Sequence, residues 1–175
     1  MSKDASARKL AETRDLFITQ WGALGTQWGI NRTMAMIHAL LLVSPEPLTT
    51  DEVMERLAIS RGNANTNLRD LTGWGLIRVV MRKGDRRDFY EAEKDVWRMF
   101  CIIARERKRR ETEPALAILR QCAETSGDLA GAEAKELHAR LTELGEFVAL
   151  ANSVMDKVAA AERSFIVPKI LKLLG

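Results

Sequence analysis

The stretch "AISRGNANTNLRDLTGWGLI" (residues 58–77) sets an apolar stripe, Ala64, Leu68 and Leu71, behind a serine at position 60. Serine is a favoured N-cap, and the i, i+4, i+7 spacing buries one face of a helix. The other residues suit a helix badly. One glycine and three asparagines fill its first half, each costing roughly 0.5–1 kcal/mol against alanine in a helix interior. That cost makes sense where the polar groups have something to contact. At about 100° per residue, Gly62, Asn63, Thr66 and Arg69 point away from the stripe. Asn65 and Asn67 lie at its flanks, and Arg61 occupies the first turn.

Upstream, Thr49 with Glu52 three residues on makes a capping box for a short helix ending near Ala58, with Val53, Met54 and Leu57 inward. A helix from about Asn31 to Val43 precedes it and is ended by "SPEP" (residues 44–47), because proline cannot donate the next backbone bond. The first helix runs from about Ala5 to Trp28, with Phe17, Trp21, Leu24 and Trp28 on one face. Downstream, Gly73 is suited to end the polar helix as its C′ residue. Residues 76–81 and 88–92 read as two strands around the basic turn "RKGDRR" (residues 82–87), with Gly84 supplying positive φ. After Glu93 the chain reads as wholly helical. One long helix is kinked or broken near Pro114, and Ser126-Gly127 marks a turn. Leu137, Leu141, Leu144, Val148, Ala151, Met155 and Val158 then repeat in heptads, before a last apolar segment, "FIVPKILKLL".

The composition narrows the function classes. The 175 residues are 46% hydrophobic and 29% charged, enough for a real core. No run of 18 apolar residues or N-terminal signal region is seen, so a cytoplasmic location and no membrane partner are expected. Cys101 and Cys122 share one helical stretch and would lie ~30 Å apart on an unbroken helix, which argues against a disulfide. Two histidines, His38 and His138, without CxxC give no metal-site spacing, and no cofactor is expected. No acid–base pair or nucleophile stands out, so no catalytic residue is assigned and the chain is not expected to be an enzyme. The net charge of +3 is uneven. Residues 61–110 hold 14 Lys/Arg against 7 Asp/Glu, a net of +7, while the remainder holds 13 against 17. A polyanion partner for the middle of the chain follows.

Short helix, turn, capped helix and two strands with a basic tip spell a winged helix-turn-helix. Asparagine can read adenine with two hydrogen bonds in the major groove, arginine can read guanine, and threonine meets a base edge or a phosphate. Gly62 lets backbone approach a phosphate near a helix N-terminus. The DNA-contacting candidates are therefore Arg61, Gly62, Asn63, Asn65, Thr66, Asn67 and Arg69, with Lys83, Arg86 and Arg87 on the wing, where an arginine can enter a minor groove. Asp85 is better placed to orient one of those arginines than to meet DNA. The bland alternatives are a solvated helix face and a hairpin tip charged for solubility.

The wording of residues 57–93, with the capped helix, the "GLI" strand entry and the "GDRR" wing, resembles the core of MarR-type transcriptional regulators. The "WG" pairs (Trp21-Gly22, Trp28-Gly29) and "ISRGNANTNLRDL…WGLI" resemble its GbsR-type branch, over about residues 15–110. The resemblance implies a homodimer on a pseudo-palindromic double-stranded DNA operator, usually a repressor, with choline-like solute precursors sensed by some members.

The fold class expected is mainly α with a small β-hairpin wing. A winged helix-turn-helix domain occupies residues 1–93 (helix-turn-helix about 50–73, wing 76–92), and a helical dimerisation region occupies 94–175. The aromatics have two readings. Trp21 and Trp28 with Trp97 and Phe100 can form core or dimer interface, or can cage a small organic cation such as choline through cation–π attraction. The heptads, represented by Leu137, Leu141, Leu144, Val148 and Met155, can pack within one subunit or pair two. Gly145 among them costs ~1 kcal/mol and argues against a long uninterrupted coiled coil. Competing functions are a protein-interaction winged helix, disfavoured by its basic wing, and sequence-neutral DNA binding, disfavoured because asparagines outnumber arginines on the reading face.

Overall fold

A computed structural model describes residues 3–160; "FIVPKILKLL" and the side chain of Val158 lie outside the described residues. The order is α1 (Lys3–Gln27), α2 (Arg32–Val43), β1 (Leu48–Thr49), α3 (Thr50–Leu57), α4 (Arg61–Trp74), β2 (Ile77–Val80) and β3 (Phe89–Ala92). Then come α5 (Val96–Arg107), a π-helical segment (Lys108–Thr112), α6 (Glu113–Gly127) and α7 (Ala132–Ala160). The chain divides into two compact units between Asp95 and Val96. It is mainly helical with a small antiparallel sheet, and no described helix is long and apolar enough to cross a membrane.

In the first unit, α2 is the central element. Its Met34, Ala35, Ile37, Ala39, Leu40 and Leu41 are all buried. The Asn31 side chain caps its N-terminus, accepting from the Met34 N–H at 3.1 Å. At the other end Lys94 Nζ donates to the carbonyls of Leu41, Leu42 and Ser44 at 2.8, 2.6 and 2.9 Å. These are orphan acceptors of the last turn, and a cation there also suits the helix dipole. The residue leaving the wing thus ties it to the helix beneath.

The aromatic stripe does not form the main buried face of α1. Phe17 and Trp21 are half-buried and Trp28 is exposed, whereas Ile18, Gly22 and Gly25 are buried. The reason is backbone approach. A Cβ on Gly25 would come within 2.5 Å of Ala35 Cβ, and one on Gly22 within 2.5 Å of Met36 Cγ. Bulky rings cannot occupy so close a seam. Phe17, Trp21 and Trp28 instead pack along one flank, Phe17 tilted against Trp21 and Trp21 edge-to-face with Trp28, with ring centroids 5.5 and 6.0 Å apart in turn.

The sheet order is β1-β3-β2. The two-residue β1 was not expected; it pairs Leu48 with Tyr90 and Thr49 with Phe89. The β2–β3 hairpin runs in register from Ile77 opposite Ala92 to Val80 opposite Phe89. Gly84 has φ +86°, as the turn requires.

In the second unit, a helix interrupted before Pro114 matches expectation. Pro114 falls in the first turn of α6, and the wider π-helical turn precedes it, where a proline cannot donate to the ladder. Helix α6 runs through Gly127, so the break before α7 comes at residues 128–131. Cys101 is buried, Cys122 is exposed, and neither is in a disulfide.

Candidate nucleic-acid interface

Local chemistry fixes the helix-turn-helix at three points. Thr49 and Glu52 form the capping box of α3: the Glu52 N–H donates to Thr49 Oγ1 at 3.3 Å, and the Thr49 N–H donates to Glu52 Oε2 at 2.7 Å. The Thr49 N–H first, and the Thr49 hydroxyl second, both donating to Glu52 Oε2 at 2.7 Å, hold the Glu52 carboxyl below its ordinary range. Ala58 ends α3 in the left-handed region, φ 51° and ψ 46°. A non-glycine residue pays roughly 1–2 kcal/mol there, a cost the flanking helices must offset. Ser60 then caps α4, accepting from the Asn63 N–H at 3.3 Å.

Ala64, Leu68 and Leu71 are fully buried, and Arg61, Gly62, Asn63, Asn65, Thr66 and Arg69 are exposed along the opposite side. Two expectations need correction. Gly73 lies inside α4; the helix continues to Trp74, and Gly75 is its left-handed cap at φ +80°. Two glycines in three residues left the choice open to sequence reading. Asn67, expected at the flank and among the DNA-contacting candidates, is 5% exposed and faces inward. It stands about 60° from Ala64 on the wheel, at the margin of the stripe. Its amide nitrogen donates to the carbonyl and side-chain oxygens of Asn63 at 2.8 and 2.7 Å.

The basic residues are not equally available. Arg61 forms an ion pair with Asp51 of α3. On the wing, Arg87 grips both oxygens of Asp85, with Nη2 2.6 Å from Oδ2, and holds that carboxyl down to about 2. Arg82, absent from the expected site, pairs with Glu46 at 3.2 Å. The guanidiniums of Arg82 and Arg87 lie 4.4 and 5.5 Å from the centroid of the Phe89 ring. A buried aromatic with two arginines stacked on it stiffens the hairpin base. Among the described residues, Lys83, Arg86 and Arg69 are exposed and make no ion pair. No cluster of potential metal ligands occurs among the described residues.

The remaining expected residues fall elsewhere. Trp97 and Phe100 pair in the second unit, ring centroids 5.6 Å apart. On α7, Leu141, Val148 and Met155 are half-buried, whereas Leu137 and Leu144 are half exposed. Sequence reasoning missed Thr33 and Lys94. Thr33 Oγ1 accepts from Asn63 Nδ2 at 3.4 Å.

Residues 28–88 match the MarR family. The chain is 24% identical over 100 residues to the HTH-type transcriptional repressor GbsR of Bacillus subtilis (strain 168), covering 57% of this chain and 55% of that protein. It is 23% identical over 94 residues to YvaV of the same organism, covering 54% and 53%. The chain thus spans about half the length of these curated relatives. A solved structure of a transcriptional regulator shares the fold, with a TM-score of 0.66 at 21% identity over 85% of this chain and 96% of that one. Capped helix α4, hairpin wing and matched residues agree: residues 28–88 form a winged helix-turn-helix that is similar to the MarR family.

Proposed function

We propose that the protein is a sequence-specific DNA-binding transcriptional regulator, acting as a homodimeric repressor on a pseudo-palindromic operator. One observation carries this reading. Helix α4 buries Ala64, Leu68 and Leu71 completely and turns Asn63, Asn65, Thr66 and Arg69 to solvent, next to a basic hairpin. Donor–acceptor side chains on a rigid helix suit the major groove, and the exposed wing cations Lys83 and Arg86 suit phosphate or the minor groove. The MarR-family match over the same segment supports it. Selection of duplexes from a random pool should return a preferred site. Asn63→Ala should weaken binding to that site by ~1–3 kcal/mol and hardly touch random DNA. Equal losses on both would leave Asn63 as a mere positioning contact.

The first unit would then be the reading head and the second the dimerisation region, setting two α4 helices about one DNA turn, ~34 Å, apart. The effector of this reading is a small organic cation such as choline. Trp21 with Trp28, and Trp97 with Phe100, each offer aromatic faces to such a group. A tenfold change in operator affinity needs ~1.4 kcal/mol of coupling, within reach of one or two cation–π contacts at ~0.5–2 kcal/mol each. Titration with choline should move tryptophan fluorescence and operator binding together. Saturation without change in either would remove choline as the effector.

A further inference from the structure

We propose that buried Asn67 is a positioning residue that locks the amide of Asn63 in one orientation and so sets how stringently α4 reads its base; this rests on the recognition role proposed for Asn63. Residues 63 and 67 are one helical turn apart, so their side chains meet. A buried amide must find partners, and among the described residues Asn67 finds them on Asn63: Nδ2 donates to the carbonyl oxygen at 2.8 Å and to Oδ1 at 2.7 Å.

The order of constraint follows from donor and acceptor chemistry. The Asn63 carbonyl can only accept, so it fixes which end of the Asn67 amide faces it. That end is the NH₂ group, and it also faces the side chain of Asn63. Only an oxygen is tolerated opposite it, so Oδ1 of Asn63 must point toward Asn67. Thr33 lies near the other end, accepting from Asn63 Nδ2 at 3.4 Å. A hydroxyl can donate as well as accept, so Thr33 cannot by itself decide the orientation. Asn67 decides it.

Asn63 is exposed and yet held at its backbone N–H by Ser60 and at both ends of its side chain. An amide oxygen has two acceptor positions and an amide nitrogen two hydrogens. One bond at each end leaves one acceptor and one donor, the pair that meets N6–H and N7 of adenine. A reversed amide would present them in the wrong order. By contrast, among the described residues the side chains of Asn65, Thr66 and Arg69 make no hydrogen bond. Of Asn63, Asn65, Thr66 and Arg69, Asn63 is therefore the preorganised reader, and ordering it on binding costs little.

The test compares Asn67→Leu, Asn63→Ala and the double variant, using the ratio of affinities for the selected site and for the same site with the Asn63-contacted base pair changed. Leucine is close in size and needs no partner, so burial is kept while the donor is lost. Thermal melts report any loss of fold, and Asn67→Ala serves as the second variant if leucine does not fit. The expected result is a roughly tenfold fall in the ratio for Asn67→Leu, little change on random duplex, and no further fall when it is added to Asn63→Ala. The proposal is overturned if Asn63→Ala lowers the ratio and Asn67→Leu does not, or if the two losses multiply. If Asn63→Ala itself leaves the ratio unchanged, base reading by Asn63 fails first and the positioning role falls with it.

Discussion

Arg86 and Arg87 are neighbours on the wing and would look interchangeable by charge. Their surroundings separate them. Arg87 is held by both oxygens of Asp85, and that carboxyl, held down to about 2, stays ionised through the whole working pH range. Much of its charge toward a phosphate is already offset. Arg86 is exposed with no ion-pair partner among the described residues. Counterion release scales with the phosphates neutralised. Arg86→Ala should therefore lower the slope of log affinity against log salt by about one unit, and Arg87→Ala should lower it by clearly less. Equal slopes for the two variants would show that the Asp85 pair opens on DNA. That Asp85 would orient an arginine was legible in the sequence; which one was not, because the choice depends on the turn geometry around Gly84. Asn67 shows the same limit. Periodicity fixes a stripe to within tens of degrees, and Asn67 sits where that margin decides between solvent and core.

Helix α2 joins local and distant causes. Its N-cap at Asn31 and its end at the Ser44-Pro45 step could be read from adjacent residues. Its cap by Lys94 could not, since the contact spans more than 50 residues of chain and needs the hairpin already in place. The same holds for β1, whose two residues become a strand only by pairing with β3. His38, on the buried side of α2, carries the energetic consequence. Burial first, and the nearby Lys94 charge second, push it down from 6.5 to about 4, and its Nε2 has no hydrogen-bond partner. Between those values the unfolded chain takes up a proton that the folded chain refuses. Stability is thus intact above pH 6.5, falls as the pH drops through 6.5 to 4, and levels off below. The full loss is on the order of 3 kcal/mol, at ~1.4 kcal/mol per pH unit. Urea melts at pH 7.5 and pH 5 should show the wild type losing part of this, and His38→Leu should lose markedly less. A variant with the same pH slope as wild type would assign the loss to other groups.

For the whole molecule, the proposed homodimer raises the question of how two reading heads would be joined, and α7 makes it testable because it is apolar on two sides. Its inner face centres on buried Gly145 and Asn152, with Leu141, Val148 and Met155 half-buried beside them. Gly145 lies against Leu119 of α6 within the same unit. The heptad pattern therefore mixes two seams, and a strict 4-3 count cannot separate them when both faces of a helix are apolar. The outer face carries Leu144, Phe147, Leu150 and Val154, with Phe147 68% and Leu150 63% exposed. Large apolar groups left in water along one helix mark a surface that associates. In the proposed homodimer this outer face meets the second copy, whereas Leu141 serves the fold of its own unit. Phe147→Asp with Leu150→Asp should then give a folded monomer with unchanged helical circular dichroism and strongly reduced operator affinity. Leu141→Asp should instead lower the melting temperature, because a charge enters an intrachain seam. Sedimentation velocity separates the cases. A Phe147/Leu150 double variant that still sediments as a dimer would move the interface off α7.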